Sequence, residues 1–261
     1  MGHCCYLFGP SVNNLTVPGN MTTRRGIFIT GTDTGIGKTF VATRLIRSLN
    51  RMGIAVIPRK PVESGCTRVG DRLVPADALA LAEMAGAQTS LNEICPYRLE
   101  HPLSPERAAK LEGIDYDLQD LVQACLVPSD RFLIVEGAGG FYSPLAANGL
   151  NADLAQHLNL PVLLVAADRL GCINHVLLTL DAIASRDLTL TAVVLSQPIP
   201  PFPPHMDNLE DLRNCLDYPV VRLNYSPASQ EAPEEDKEFT ELAKIVLEAV
   251  LKPLSWHDTA L

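Results

Sequence analysis

Long apolar runs are missing from this chain. None approaches the roughly 18 consecutive residues that a membrane-crossing helix needs, so no membrane partner is expected. Basic charge is also scarce: across 261 residues, 21 Lys and Arg face 30 Asp and Glu, a formal net charge of -9. That balance argues against general attraction to nucleic acid or anionic lipid. The seven cysteines (Cys4, Cys5, Cys66, Cys95, Cys125, Cys172 and Cys215) are odd in number, and none falls in a CxxC or Cys/His metal spacing. A disulfide scaffold and a zinc site are disfavoured, and reduced thiols in a cytoplasmic protein are expected. Internal repeats, low-complexity tracts and domain linkers are absent too. What remains is an ordinary globular composition, 47% apolar and 20% charged, in a chain long enough to bury a large α/β core.

Residues 1–20 differ from the rest. Gly, Pro and Asn punctuate them, a basic n-region is lacking, and the apolar run covers only residues 4–8, so a secretory signal is not expected. Met1-Gly2 beside Cys4-Cys5 raises dual acylation, but Tyr6 stands where the myristoylation motif needs Ser or Thr. Residues 21–25 read as an ordinary start just before a strand. Residues 1–20 are therefore expected to be a dispensable extension, and residues 21–261 one domain.

The strongest stretch is Gly31-Thr32-Asp33-Thr34-Gly35-Ile36-Gly37-Lys38-Thr39, which follows the apolar run at residues 26–30 and opens a helical pattern. This is the layout of a phosphate-binding loop, in which backbone N–H groups wrap phosphate, the Lys reaches the β/γ-phosphates and the hydroxyl ligates Mg²⁺. The strict Gly-x4-Gly-Lys-Ser/Thr spacing is missed, because Thr32 stands at the first Gly position and Gly31 one residue earlier. Strand and helix flank the loop as the mechanism requires, so a nucleoside-triphosphate site is expected.

Residues 39–50 carry one-face helical spacing at Val41, Leu45, Ile46 and Leu49, and residues 55–58 read as a second strand, giving a βαβ unit. Lys60-Pro61-Val62-Glu63-Ser64-Gly65 then lies at the carboxyl edge, where α/β sheets bind ligands. Residues 77–85 read as a helix with Asp77 in its first turn, residues 88–107 as a Pro-punctuated loop, and residues 117–126 as a helix. At residues 132–135 a continuous apolar run ends in Glu136, as a buried parallel strand presenting a carboxylate to a metal would. Gly137, Gly139 and Gly140 allow close backbone approach to a ligand. Further elements are expected at 152–158 (helix), 161–166 (strand), 170–185 (helix) and 190–195 (the last clear core strand). A Pro-rich loop follows, then helices near 208–216 and 239–251. The fold class is P-loop α/β, a largely parallel sheet flanked by helices on both faces.

Taken together, the loop at 31–39, Lys60-Pro61-Val62-Glu63-Ser64-Gly65, Asp77-Ala78-Leu79, Val135-Glu136-Gly137-Ala138-Gly139-Gly140 and Leu170-Gly171-Cys172-Ile173-Asn174-His175 resemble the dethiobiotin synthase family. The resemblance spans about residues 26–195, and the family uses this extended loop spacing. It implies ATP-dependent carboxylation and ring closure of 7,8-diaminononanoate with CO2 or bicarbonate, through a carbamate and a carbamic–phosphoric anhydride. Lys38 and Lys60 would be the catalytic cations, and Thr39, Asp77 and Glu136 the Mg²⁺ ligands. Thr34, Gly35, Ile36, Gly37, Phe40, Gly137, Ala138 and Gly139 would complete the nucleotide cradle. Ser64 would bind the substrate or its carbamate. Gly171, Cys172, Ile173 and Asn174 would meet the substrate's distal carboxylate across a homodimer interface. The chain departs from the family at Gly35, where an acid is common, and at Ser196-Gln197, where an Asn commonly reads adenine; relaxed base preference is the expectation. Two other classes share parts of this pattern. A partition-type ATPase switch usually has a second Lys where Thr32 stands. A cobyric-acid-type ligase would bring a glutaminase domain for which the length leaves no room.

Overall fold

Strands of nearly unbroken apolar sequence line up in parallel at the centre of the chain. The structure, a computed structural model, describes residues 25–86, 90–127, 130–196, 203–223 and 233–251. The central strands are β1 (Gly26–Gly31), β2 (Val56–Arg59), β3 (Phe132–Glu136), β4 (Val162–Ala167), β5 (Leu190–Ser196) and β6 (Val220–Leu223). They form one six-stranded sheet in the order β6-β5-β4-β1-β3-β2, every pair parallel. The inner strands β1, β3, β4 and β5 are buried along their whole length, on both faces, which is why they read as continuous runs rather than alternating ones.

The helices are α1 (Lys38–Arg51), α2 (Ala76–Ala85), α3 (Leu91–Ile94), α4 (Pro105–Glu112), α5 (Leu118–Cys125), α6 (Asn151–Leu158), α7 (Cys172–Ala184), α8 (Asn208–Cys215) and α9 (Pro233–Leu251). Because side chains alternate along a strand, the sheet separates two cores. Ile27, Ile29, Leu163 and Val165 pack with Val41, Leu45 and Leu49 of α1 and Leu242 and Val246 of α9. Phe28, Val162 and Leu164 pack on the other face with Leu121 of α5, Leu154 of α6, Val176 of α7 and Leu212 of α8. Burial of this kind contributes about 1.5–3 kcal/mol for each large apolar side chain. Among the described residues, no helix is long and apolar enough to cross a membrane.

Two expectations are corrected. Residues 88–107 are not simply loop: Ser90 and Glu93 form a reciprocal capping box on α3, Tyr97–Arg98 pairs with Val62–Glu63, and α4 starts at Pro105. Pro105 looked like a breaker, yet a first-turn Pro loses only an N–H that has no intrahelical partner. The strand at 190–195 is also not the last, since β6 adds beyond it as a short edge strand. Its Val-Val-Arg-Leu sequence is buried only at its two ends, so it lacks the apolar continuity that marks its neighbours. The N-terminal extension expected over residues 1–20, Gln197 and most of the Pro-rich segment lie outside the described residues.

Candidate active site

The carboxyl ends of β1, β2 and β3 place the chemically active side chains together. Between β1 and α1 the chain turns through Gly35 (φ 70) and Gly37 (φ 93), left-handed conformations that glycine adopts without strain. A Cβ at Gly37 would lie 2.5 Å from Ser196 Oγ, so the end of β5 supports the loop from behind. No side chain caps α1, leaving its first-turn N–H groups turned to the loop, the arrangement that binds anions. Lys38 folds back, its Nζ donating to the Asp33 carbonyl at 2.8 Å.

Lys60, 3% exposed, follows β2 and sits between two carboxylates. Its Nζ donates to Asp77 Oδ2 at 2.5 Å and to Glu136 Oε1 at 2.6 Å. Thr39 Oγ1 donates to the same Glu136 oxygen at 2.7 Å. Burial, the largest influence on the Lys60 ammonium, lowers its pKa, but Glu136 and Asp77 together hold it above the usual lysine range. The Asp77 carboxyl is likewise lifted by burial and then brought below its ordinary value by Lys60. Ser64 Oγ donates to the Leu103 carbonyl at 2.7 Å and keeps its lone pairs for a ligand.

These groups line a cavity of about 290 Å³ that includes Thr34, Gly35, Gly37, Lys38, Thr39, Lys60, Glu63, Ser64, Asp77, Glu136, Ala138 and Gly139. Other expected site residues stand outside its lining. Ile36 is buried beneath the loop, Phe40 packs edge-on against Phe239 with centroids 5.7 Å apart, and Gly137 lies against Phe28 and Asn151. Gly171, Cys172, Ile173 and Asn174 open α7 and are also absent from the lining. A larger surface cavity of about 610 Å³ runs along β6 and α9, but it contains none of the loop residues.

Two residues that bear on the site had no role assigned from sequence. Glu63 caps α2 from a distant segment. Asn151, fully buried at the start of α6, accepts from Ala138 N at 3.2 Å and donates to the Gly140 carbonyl at 2.9 Å and to the Ala138 carbonyl, clamping the turn after Glu136. Its sequence signal is only that of a helix start, because its partners lie 11 and 13 residues away. Asn151→Ala would leave these backbone groups buried and unpaired. We expect a loss of about 2–3 kcal/mol in urea unfolding; a variant of wild-type stability would show that water satisfies the turn.

Lys38 yields a pH prediction. Burial, outweighing the attraction of Glu136, brings its ammonium from 10.5 to about 8. Below that pH Lys38 is charged and attracts phosphate; above it, the free enzyme loses the charge. For the ATP-dependent activity that the sequence resemblance implies, kcat/KM for ATP reports the free protein and should fall about tenfold per pH unit on the alkaline side. Stability has the opposite sign: between about 8 and 10.5 the unfolded chain binds more protons, so unfolding free energy rises with pH. Lys38→Met should abolish both trends, and a stability profile equally steep in that variant would assign the titration to another group.

The residues also fit a divalent cation. Glu136 Oε2 is buried and, among the described residues, has no hydrogen-bond partner, leaving an acceptor oxygen for an ion. No cluster of three or more His, Cys, Asp or Glu among the described residues could enclose a metal alone. A cation here would complete its shell with phosphate oxygens and water, which suits Mg²⁺.

A glycine loop, a lysine and a hydroxyl on the helix it opens, and a carboxylate from the neighbouring parallel strand define a P-loop α/β ATPase fold. Solved structures of the cell-division protein MinD share it: that from Aquifex aeolicus at TM-score 0.51 and 15% identity, covering 88% of this chain and 100% of that one. The MinD ATPase of Pyrococcus furiosus gives 0.50 and 16%, covering 86% and 99%. A family profile described as AAA domain matches residues 25–231. The ATP-dependent dethiobiotin synthetase BioD of Ruthia magnifica subsp. Calyptogena magnifica is 44% identical over 200 residues, 77% of this chain and 91% of that protein. Its counterpart from Aromatoleum aromaticum is 39% identical over 204 residues, 77% and 90% respectively. The chain belongs to the family of ATP-dependent dethiobiotin synthetases, ligases of biotin biosynthesis.

Proposed function

We propose that the chain carboxylates 7,8-diaminononanoate and closes its ureido ring, with ATP as the activating substrate. The observation that carries this reading is the buried Lys60 ammonium, held within one cavity between the phosphate loop and the Lys60–Ser64 segment. One substrate amine, as its carbamate, attacks the γ-phosphorus through an oxygen; the bond to the bridging oxygen breaks and ADP leaves. The second amine then attacks the carbonyl carbon of the carbamic–phosphoric anhydride, and phosphate departs as the ring closes. Both steps gather negative charge, which fixed cations stabilise without covalent catalysis.

Lys38 and the loop N–H groups hold the β/γ-phosphates, and Lys60 bridges the carbamate and the phosphate that is transferred. Ser64 orients the carbamate. Thr39, Asp77 and Glu136 would hold Mg²⁺, which when bound offsets charge on the phosphate oxygens. Lys60 donates to both carboxylates, and, despite burial, its charge holds the Asp77 carboxyl below its ordinary value, the form that a metal would bind. The proposed homodimer is supported by exposed apolar side chains around the start of α7, Leu170 (79% exposed) just before it and Leu178 (60% exposed) one turn beyond Asn174.

Mass spectrometry after incubation with diaminononanoate, bicarbonate, Mg²⁺ and ATP tests the reading. Dethiobiotin and a matching release of phosphate are expected. ATP hydrolysis indifferent to diaminononanoate and bicarbonate, with no ring product, would overturn it.

A further inference from the structure

Helix α2 carries Asp77 in its first turn but has no local cap: the preceding residue is Pro75, with extended backbone (φ -82, ψ 106) and no side chain to accept a hydrogen bond. Its open N–H groups are instead met by Glu63. Oε1 accepts from Asp77 N at 3.0 Å and Oε2 from Ala78 N at 2.9 Å, and Glu63 is only 6% exposed. The segment that bears Glu63 is anchored on its own account. Lys60 N donates to the Ile94 carbonyl at 2.9 Å, Val62–Glu63 pairs with Tyr97–Arg98, and Leu99 N donates to the Glu63 carbonyl at 2.8 Å. Lys60 and Glu63 therefore belong to one rigid run of four residues, and both reach α2, one through each side of Asp77.

This arrangement has an electrostatic cost. The buried Glu63 carboxylate stands near the half-exposed Asp77 carboxylate, and like charges at close range oppose ionisation. A Ser at position 75 would cap one of these N–H groups with no added charge. A remote Glu does what a local cap cannot: it ties the position of α2 to the backbone that carries Lys60.

We propose that Glu63 is a positioning residue that sets the separation of Lys60 and Asp77, and so aligns the transition-state cation with the cation-binding carboxylate. The inference rests on the active-site reading above; product formation by the wild-type protein tests that reading separately. Glu63 lines the same cavity, but both of its oxygens are taken up by N–H groups of α2; partners that orient site groups in this way affect metal affinity or activity by about 10–100-fold.

Four variants separate positioning from capping: Glu63→Ala, Glu63→Gln, Pro75→Ser, and Glu63→Ala with Pro75→Ser. Glu63→Ala should lower kcat by about 10–100-fold and change KM for ATP by less than about threefold. It should also weaken Mn²⁺ binding, measured by electron paramagnetic resonance with a non-hydrolysable ATP analogue, by about tenfold. In the metal-free protein, amide exchange at the start of α2 should speed up and Tm should fall. Pro75→Ser alone should keep wild-type activity. In the double variant it should restore Tm and amide protection but neither kcat nor Mn²⁺ affinity. Glu63→Gln keeps the volume and one acceptor oxygen, and should fall between wild type and Glu63→Ala; it carries the test where Glu63→Ala does not fold. Recovery of kcat and Mn²⁺ affinity in the double variant would reduce Glu63 to a helix cap. Wild-type kcat and Mn²⁺ affinity in Glu63→Gln and Glu63→Ala alike would remove it from the site altogether.

Discussion

Lys60→Gln is expected to lower kcat by about two to three orders of magnitude, with a much smaller change in KM for ATP. The Gln side chain nearly fills the space of the Lys stem but carries no charge. Its loss falls on the steps in which negative charge moves to the carbamate and phosphate oxygens, equivalent to about 3–4 kcal/mol of transition-state stabilisation. Because Glu136 and Asp77 hold the Lys60 ammonium above the usual lysine range, it stays protonated throughout the working pH range. The alkaline limb of the pH profile therefore belongs to Lys38 and not to Lys60. The variant also leaves two carboxylates without their shared partner, and breaking a buried pair destabilises a protein by about 3–5 kcal/mol. Thermal unfolding should accordingly show a lower Tm that Mg²⁺ with ATP partly restores. A folded variant with wild-type kcat would reduce Lys60 to a counter-ion for the acids.

The second large effect is recovery of activity on mixing two impaired proteins. α7 begins just after β4, its first-turn N–H groups have no side-chain cap, and an anion such as the substrate's distal carboxylate suits that terminus. The α7 opening is absent from the lining of the cavity that holds Lys60 within one chain, and exposed Leu170, Leu177 and Leu178 lie beside it. Asn174→Asp would place a negative charge against a carboxylate bound there without breaking the helix, and Lys60→Ala removes the proposed catalytic cation. If each pocket draws on both chains, a heterodimer has one pocket with both lesions and one with neither. Random pairing then gives activity of about a quarter of wild type, since about half the dimers are mixed and each has one intact pocket. Native mass spectrometry establishes that mixed dimers form. Mixed dimers without activity would place both residues in the same subunit's pocket and end the shared-site reading.

The same division, between what neighbours in sequence and what meets in space, separates what was legible beforehand from what was not. The phosphate loop was legible because its function depends on backbone torsions and a lysine within a few residues of one another. The buried strands were legible because a parallel sheet covered on both faces demands unbroken apolar runs, each with an end that marks the carboxyl edge. Glu136 stood out as the acid at such an end. β6 was missed because an edge strand needs no such continuity. α4 was missed because Pro105 ends a helix in one position and begins it in another.

By itself, then, the sequence determined the P-loop fold class and the identities of Lys38, Thr39, Lys60, Asp77 and Glu136 as chemically marked positions. The tertiary structure alone decided their couplings. Lys60 meets Asp77 across 17 residues and Glu136 across 76, Glu63 reaches α2 across 14 and 15, and Asn151 holds the turn after Glu136 across 11 and 13. The reason is physical. A loop's torsions and a strand's burial pattern are set by adjacent residues, whereas a carboxylate's partner is whichever group the packing of distant elements carries within about 3 Å of it.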